Sequence, residues 1–239
     1  MARISRKELK KDEFVQEVTH TVEYVQMHRQ PIVVWSAVAG GLLLVVLGSY
    51  LLWNKRNTDA SDSLSRALRT FHGTVLPAGA PPPQGSPEKF YASDKEKFTT
   101  ALQEFQAIAG KYSMQKQAAV ARYYIGLCQL QLGNTAEGQR ELTALAEGKD
   151  EQVGSVARFA LASALVNQNK MDEAEKHYRY LIDHPTAEVP KTAAQMTLAA
   201  HLRSTKPKEA EKIYRELEQQ KFSPKLADMA KRMLAELKQ

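Results

Sequence analysis

Residues 32–53 form an unbroken run of 22 residues with no side chain that ionises near neutral pH. On either side, apolar positions recur at helical spacing among charged ones. As a helix the run is about 33 Å long, against a bilayer hydrocarbon core of roughly 30 Å. The pattern predicts one transmembrane helix over 31–54. Pro31 sits where a first helical turn tolerates proline. Trp35 near one end, and Tyr50 and Trp53 at the other, suit the two membrane–water interfaces. Lys55 and Arg56 close the segment. A cleaved signal peptide has a shorter apolar core, about 7–15 residues, and then a small-x-small site. This run ends in bulky Leu-Leu-Trp instead. Ser36 with Gly40, and Ala37 with Gly41, are small residues four apart, and Gly48 extends the second row. These five are the candidate contacts for a second helix in the membrane.

Before the span, Ser5-Arg-Lys-Glu8 is a capping-box pattern. Phe14, Val18, Val22 and Val25 follow at helical spacing, so residues 1–30 read as an amphipathic segment that lies on a membrane surface or docks on a partner. Helix here is expected to stop at Arg29, because the residue before a proline disfavours it.

The remainder, 55–239, reads as a helical domain. Leu64, Leu68 and Phe71 mark one helix. Residues 73–92 hold five prolines and three glycines, a composition expected to form a loop. Ser93-Asp-Lys-Glu96 is a second capping box, continued by Phe98, Ala101, Leu102, Phe105 and Ile108. The chain then repeats itself. The string DEAEKHYRYL beginning at Asp172 recurs as KEAEKIYREL beginning at Lys208, with seven of ten positions identical at an offset of 36. The same offset carries Gly138, Leu142 and Leu145 onto Ala174, Tyr178 and Leu181, and these onto Ala210, Tyr214 and Leu217. Ala101, Phe105 and Ile108 show the same spacing one step earlier. Each unit opens with a further helix, at 119–132, 155–167 and 191–203.

Two helices in a period near 34–36 resemble the tetratricopeptide repeat. Gly126 and Ala162 are small where the two helices of a unit meet, and Gly138, Ala174 and Ala210 are small at the reciprocal position. Tyr178 and Tyr214 are expected to fill the space between neighbouring units. The family's aromatic at the fourth position is replaced by Arg122, Arg158 and Ala194, and Leu198 stands where a small residue is usual. The expected fold is therefore all-α: amphipathic helix, transmembrane helix, then a tetratricopeptide-like solenoid. Its repeats are expected at about 119–154, 155–190 and 191–226, with a polar-backed capping helix at 227–239.

Charge and chemistry narrow the function. The net charge of +6 is spread over interleaved acids and bases, which speaks against a nucleic-acid face. A single cysteine, Cys128, rules out an intramolecular disulfide and reads as a buried apolar residue. The six histidines lack a His-Glu-x-x-His motif, a Cys-x-x-Cys motif and a phosphate loop. No enzyme activity, cofactor or metal is expected. The expected activity is binding. By register, the first helices of the units present Tyr123, Leu127 and Leu130, then Phe159, Ser163 and Val166, then Gln195, Ala199 and Leu202, as a groove for a peptide or partner helix. Tyr123 and Phe159 are the candidate anchors. The competing expectation packs both rings against the next unit or against the helix containing Leu64 and Phe71.

The amphipathic segment, the span, a turn at Lys55-Arg56-Asn57 and the degenerate repeats together resemble the bacterial family of ancillary Sec-translocon subunits. These are single-pass inner-membrane proteins, related in their repeat domain to the Tol–Pal coordinators of cell division. The resemblance implies a cytoplasmic N-terminus and a periplasmic repeat domain. The implied partners are the translocon and periplasmic chaperones or clients. Local charge points the other way. Within twenty residues of the span, Lys11 and Arg29 stand against Lys55, Arg56, Arg66 and Arg69. A repeat scaffold for envelope assembly or division has the same topology, and a cytoplasmic regulator would have it reversed.

Overall fold

The computed structural model describes residues 29–77, 89–219 and 224–237. These residues form nine α-helices and two two-residue strands. The helices are α1 (Arg29–Phe71), α2 (Asp94–Lys111), α3 (Lys116–Gln131), α4 (Thr135–Ala146), α5 (Glu151–Asn167), α6 (Met171–Asp183), α7 (Lys191–Leu202), α8 (Pro207–Glu218) and α9 (Pro224–Glu236). The fold is all-α. The amphipathic segment expected over 1–30 lies outside the described residues, save its last two, which begin α1.

α1 is 43 residues long. The turn expected at Lys55-Arg56-Asn57 is absent, because these residues lie within that helix. Neither glycine nor proline occurs between Gly48 and Gly73, so nothing in the covalent chain stops propagation there. Contacts divide the chain into two units, Met1–Asn57 and Thr58–Gln239.

In the first unit one helix is long and apolar enough to cross a membrane. Its most apolar 18-residue window has mean hydropathy 1.9. Trp35, Leu44, Leu52 and the other large side chains over 33–53 are exposed. Water would penalise burying none of that surface at about 25 cal/mol per Å², whereas lipid would not. A Cβ added at Gly40, Gly41 or Gly48 would meet nothing within 4 Å. The Ser36 hydroxyl donates to the Val33 carbonyl at 3.0 Å. Among the described residues, therefore, nothing covers the small-residue rows.

The second unit is a succession of helix pairs. Residues 58–71 of α1 pair with α2 as an additional unit ahead of the three expected. Ala60, Ala67, Phe98, Ala101, Phe105 and Ile108 form its core, with Leu64, Leu68 and Phe71 against them. The Ser93 hydroxyl accepts from the Glu96 N–H at 3.2 Å, as the capping box predicts. The pairs α3/α4, α5/α6 and α7/α8 follow. The proposed boundary between repeat and cap, at 226/227, falls inside α9.

The loop expected over 73–92 is not wholly irregular. A strand at each end, Thr74–Val75 (β1) and Phe90–Tyr91 (β2), pairs in parallel with Thr74 opposite Phe90. Gly73 is required at this junction: a Cβ there would lie 2.6 Å from the Tyr91 ring. Residues 78–88 fall outside the described residues.

Small residues set the helix spacing within a pair. A Cβ on Gly126 would sit 2.8 Å from Leu142, and one on Gly138 would sit 2.8 Å from Leu130. Between the helices, Gly133 has φ +84°, and Asn169 at the same position one repeat later has φ 62°. The N–H of the next residue closes each turn, Asn134 onto the Gln129 carbonyl at 2.9 Å and Lys170 onto Leu165 at 3.0 Å.

Candidate functional site

The predicted groove residues separate into two groups. Tyr123, Leu127 and Leu130 on α3, and Phe159, Ser163 and Val166 on α5, are half-buried. Gln195, Ala199 and Leu202 on α7 are 5%, 0% and 0% exposed and belong to the interior. The expected nine-residue face thus contracts to six residues on two helices. Leu198, at the position of Gly126 and Ala162, is buried like them, and Leu198, Ala199 and Leu202 share one core cluster with Ala230 and Leu234 of α9.

The two expected anchors differ in surroundings. Phe159 packs edge-on against Tyr178 of its own pair, with ring centroids 5.5 Å apart. Tyr178 is fully buried, and its other neighbour is His201 of the following pair, stacked at 5.9 Å. Tyr178 therefore joins two successive units, in the role the spacing predicts. Its hydroxyl lies 3.1 Å from that of Ser163, so a residue expected to face a ligand instead satisfies a buried tyrosine. Burial raises the Tyr178 pKa and the Ser163 bond lowers it, with the increase dominant.

Tyr123 makes an edge contact with Tyr124 at 5.2 Å, and burial raises its pKa. The ring that meets the Leu64–Phe71 region is Tyr124, which the sequence pattern did not single out. It stacks on Phe105 at 5.0 Å and meets Phe71 edge-on at 5.0 Å. Adjacent tyrosines on one helix point about 100° apart, so one can serve the core while the other borders the exposed face.

Charged side chains tie the units together. Glu175 on α6 is 9% exposed and accepts from Arg179 at 2.8 Å and from Lys206 at 2.7 Å. Arg179 also pairs with Glu209 on α8. Burial pushes the Glu175 carboxyl up, but the hydrogen bonds from Lys206 and Arg179 outweigh it, and the net shift is downward. At the position where the repeat family carries an aromatic, Arg122 pairs with Glu141 at 3.2 Å.

Among the described residues no group of three or more His, Cys, Asp or Glu side chains could hold a metal ion. The Cys128 thiol is fully buried and its pKa is pushed up to about 12, so its nucleophilic thiolate is scarce. The arrangement offers a surface of half-buried apolar side chains on α3 and α5, the first helices of two successive pairs. No family model matches the chain, and neither does any curated protein or solved structure.

Proposed function

We propose that this is a membrane-anchored interaction protein, in which a single span tethers a tetratricopeptide-like repeat domain that binds other proteins. The observation that carries the reading is the joining of one apolar span to serially repeated helix pairs in a single chain. Stacked pairs bury a continuous core and leave one helix of each pair facing outward, an architecture suited to extended protein contacts. The half-buried row Tyr123, Leu127, Leu130, Phe159 and Val166 supplies apolar contact on such a face. The family resemblance adds the bacterial inner membrane, a cytoplasmic N-terminus and a periplasmic repeat domain. It also adds an ancillary role at the Sec translocon beside periplasmic chaperones, without catalysis. A scaffold for envelope assembly or cell-division coordination is the second reading and shares the topology.

Chemical crosslinking in native membranes, followed by mass spectrometry, separates the two. Recovery of translocon subunits and periplasmic chaperones is expected. Recovery of only cell-wall or outer-membrane components would end the first reading. A C-terminal reporter that fluoresces only in the cytoplasm should stay dark. A bright signal would reverse the topology.

A further inference from the structure

Successive units place an arginine and a glutamate at the same two positions, but the first unit does not pair them. Arg122 stands four residues before the buried Gly126, and Arg66 stands four before the buried Thr70. Glu141 directly precedes the core residue Leu142, and Glu104 directly precedes the core residue Phe105. In the second unit these positions form the Arg122–Glu141 pair at 3.2 Å. In the first, the carboxylate is taken by Lys89, which belongs to the segment inserted between α1 and α2. The Lys89 ammonium donates to Glu104 Oε1 at 3.1 Å. It also donates to the Thr70 hydroxyl at 2.8 Å, which holds it in place. The insertion has thus removed the carboxylate from Arg66 and added a second cation beside it. Arg66 Nη2 donates to the Ser63 hydroxyl at 3.1 Å. Among the described residues, no carboxylate oxygen lies within 4.0 Å of the Arg66 guanidinium.

Arg66 borders a cavity of about 290 Å³ between the end of α1 and the last two turns of α2. Lys89 and Lys111 border it too, and Ile108 and Tyr112, 4% and 3% exposed, give it an apolar wall. Arg158 borders a cavity at the equivalent place in the third unit, but there the Tyr180 ring covers the guanidinium at 4.0 Å. Tyr180 and His184 correspond, 73 residues earlier, to Ala107 and Lys111. The first unit therefore has a small side chain where the third has a ring, and a lasting positive charge where the third has an imidazole. Asp59 acts on the Tyr112 phenol but does not border the cavity. Around the cavity three cations meet one carboxylate, an excess of two positive charges. A phosphomonoester carries about −1.5 to −2 at pH 7 and balances that excess. A phosphodiester or a single carboxylate would balance only half of it. The guanidinium has further N–H donors in a planar fork that suits phosphate oxygens, with the two ammonium groups as point charges beside it.

We propose that this cavity binds a phosphomonoester group, with Arg66 as the fork, Lys89 and Lys111 as flanking cations, and Ile108 and Tyr112 against the organic part of the ligand. The site is separate from the apolar row on α3 and α5, and it stands whether or not that row binds a partner.

The test uses the full chain in phosphatidylcholine nanodiscs, titrated by calorimetry with glycerol 3-phosphate and with dimethyl phosphate, a diester. Glycerol 3-phosphate should bind saturably, and the diester about tenfold more weakly. Arg66→Gln should weaken glycerol 3-phosphate binding by about tenfold, the scale of a lost hydrogen bond between charged groups. Two variants keep every cation in place. Ala107→Glu puts a carboxylate into the exposed wall one turn before Lys111, and should weaken binding by a similar factor with the thermal transition unchanged or raised. Glu104→Gln removes the competing acid while Thr70 still holds Lys89, and should tighten binding several-fold. Discs doped with phosphatidic acid identify the source of the phosphate. Weaker glycerol 3-phosphate binding there than in discs doped equally with phosphatidylglycerol assigns the site to a lipid headgroup. Equal binding in the two assigns it to a soluble phosphomonoester. Absence of saturable binding, equal affinity for the diester, or undiminished binding by folded Arg66→Gln would overturn the site.

Discussion

The Ser163 hydroxyl lies 3.1 Å from the Tyr178 hydroxyl, and one repeat later the same two positions hold Ala199 and Tyr214. Tyr214 is as deeply buried as Tyr178, yet its hydroxyl has no partner among the described residues. The two tyrosines are equivalent in the repeat and unequal in energy. Tyr178→Phe should cost about 1 kcal/mol, the usual net value of a buried hydrogen bond. Tyr214→Phe should be neutral or stabilising, since it removes an unsatisfied polar atom. Chemical denaturation of the two variants side by side measures the difference. Equal losses would contradict the assignment.

The turn between paired helices makes a second comparison. Gly133 and Asn169 both hold positive φ, which glycine adopts without steric cost. Asn169→Gly should raise stability by up to about 1 kcal/mol, and Gly133→Ala should lower it by about 1 kcal/mol. Thermal melts of the two single variants read both signs.

Acid should loosen the join between the third and fourth helix pairs first. The folded-state pKa of Glu175 is lowered, so its contribution is fully present above the unfolded value of about 4.3. That contribution is lost as pH falls through the folded pKa, below 4.3. The protection of α6 and α8 amides against hydrogen exchange, relative to the intrinsic rate at each pH, should therefore fall on acidification through that range. Glu175→Gln should show the faster exchange already at neutral pH, and its acid dependence there should be flatter. Unchanged exchange in that variant would remove Glu175 from the account of unit coupling.

Phe159 and Tyr123 separate core from surface. Phe159 joins two packed clusters, so Phe159→Ala should cost about 2–3 kcal/mol. Tyr123→Phe keeps the ring and should cost less than about 0.5 kcal/mol. Denaturant midpoints of the two variants check the ranking. A Phe159→Ala loss as small as that of Tyr123→Phe would return Phe159 to the surface.

Much of this fold was legible because its period was. An offset of 36 placed Tyr178 between units and put small residues at Gly126 and Gly138, where the helices touch. The one helix among the described residues that is long and apolar enough to cross a membrane was legible from length and hydropathy. The reading failed at α7, where Gln195, Ala199 and Leu202 lie inside; Ala199 and Leu202 share a core cluster with Ala230 and Leu234 of the last helix, which the period did not place. The continuity of α1 was not legible either. A charged, asparagine-flanked stretch resembles a turn, yet without glycine or proline it continues as helix. The second helix of the unit ahead was legible from the spacing of Ala101, Phe105 and Ile108, but its pairing with residues 58–71 was not, because the insertion at 73–92 separates the two helices. The cavity beside Arg158 needed coordinates, since two segments separated in sequence, 146–158 and 180–186, build it.

The central claim is that the half-buried row on α3 and α5 is where partners bind. A photo-crosslinking amino acid at Leu127, within that row, and at Lys212, exposed on α8, tests it in native membranes. Protein adducts at Leu127 with none of the same mass at Lys212 are the result expected. Identical adduct patterns at both positions, or adducts at Lys212 alone, would contradict the claim.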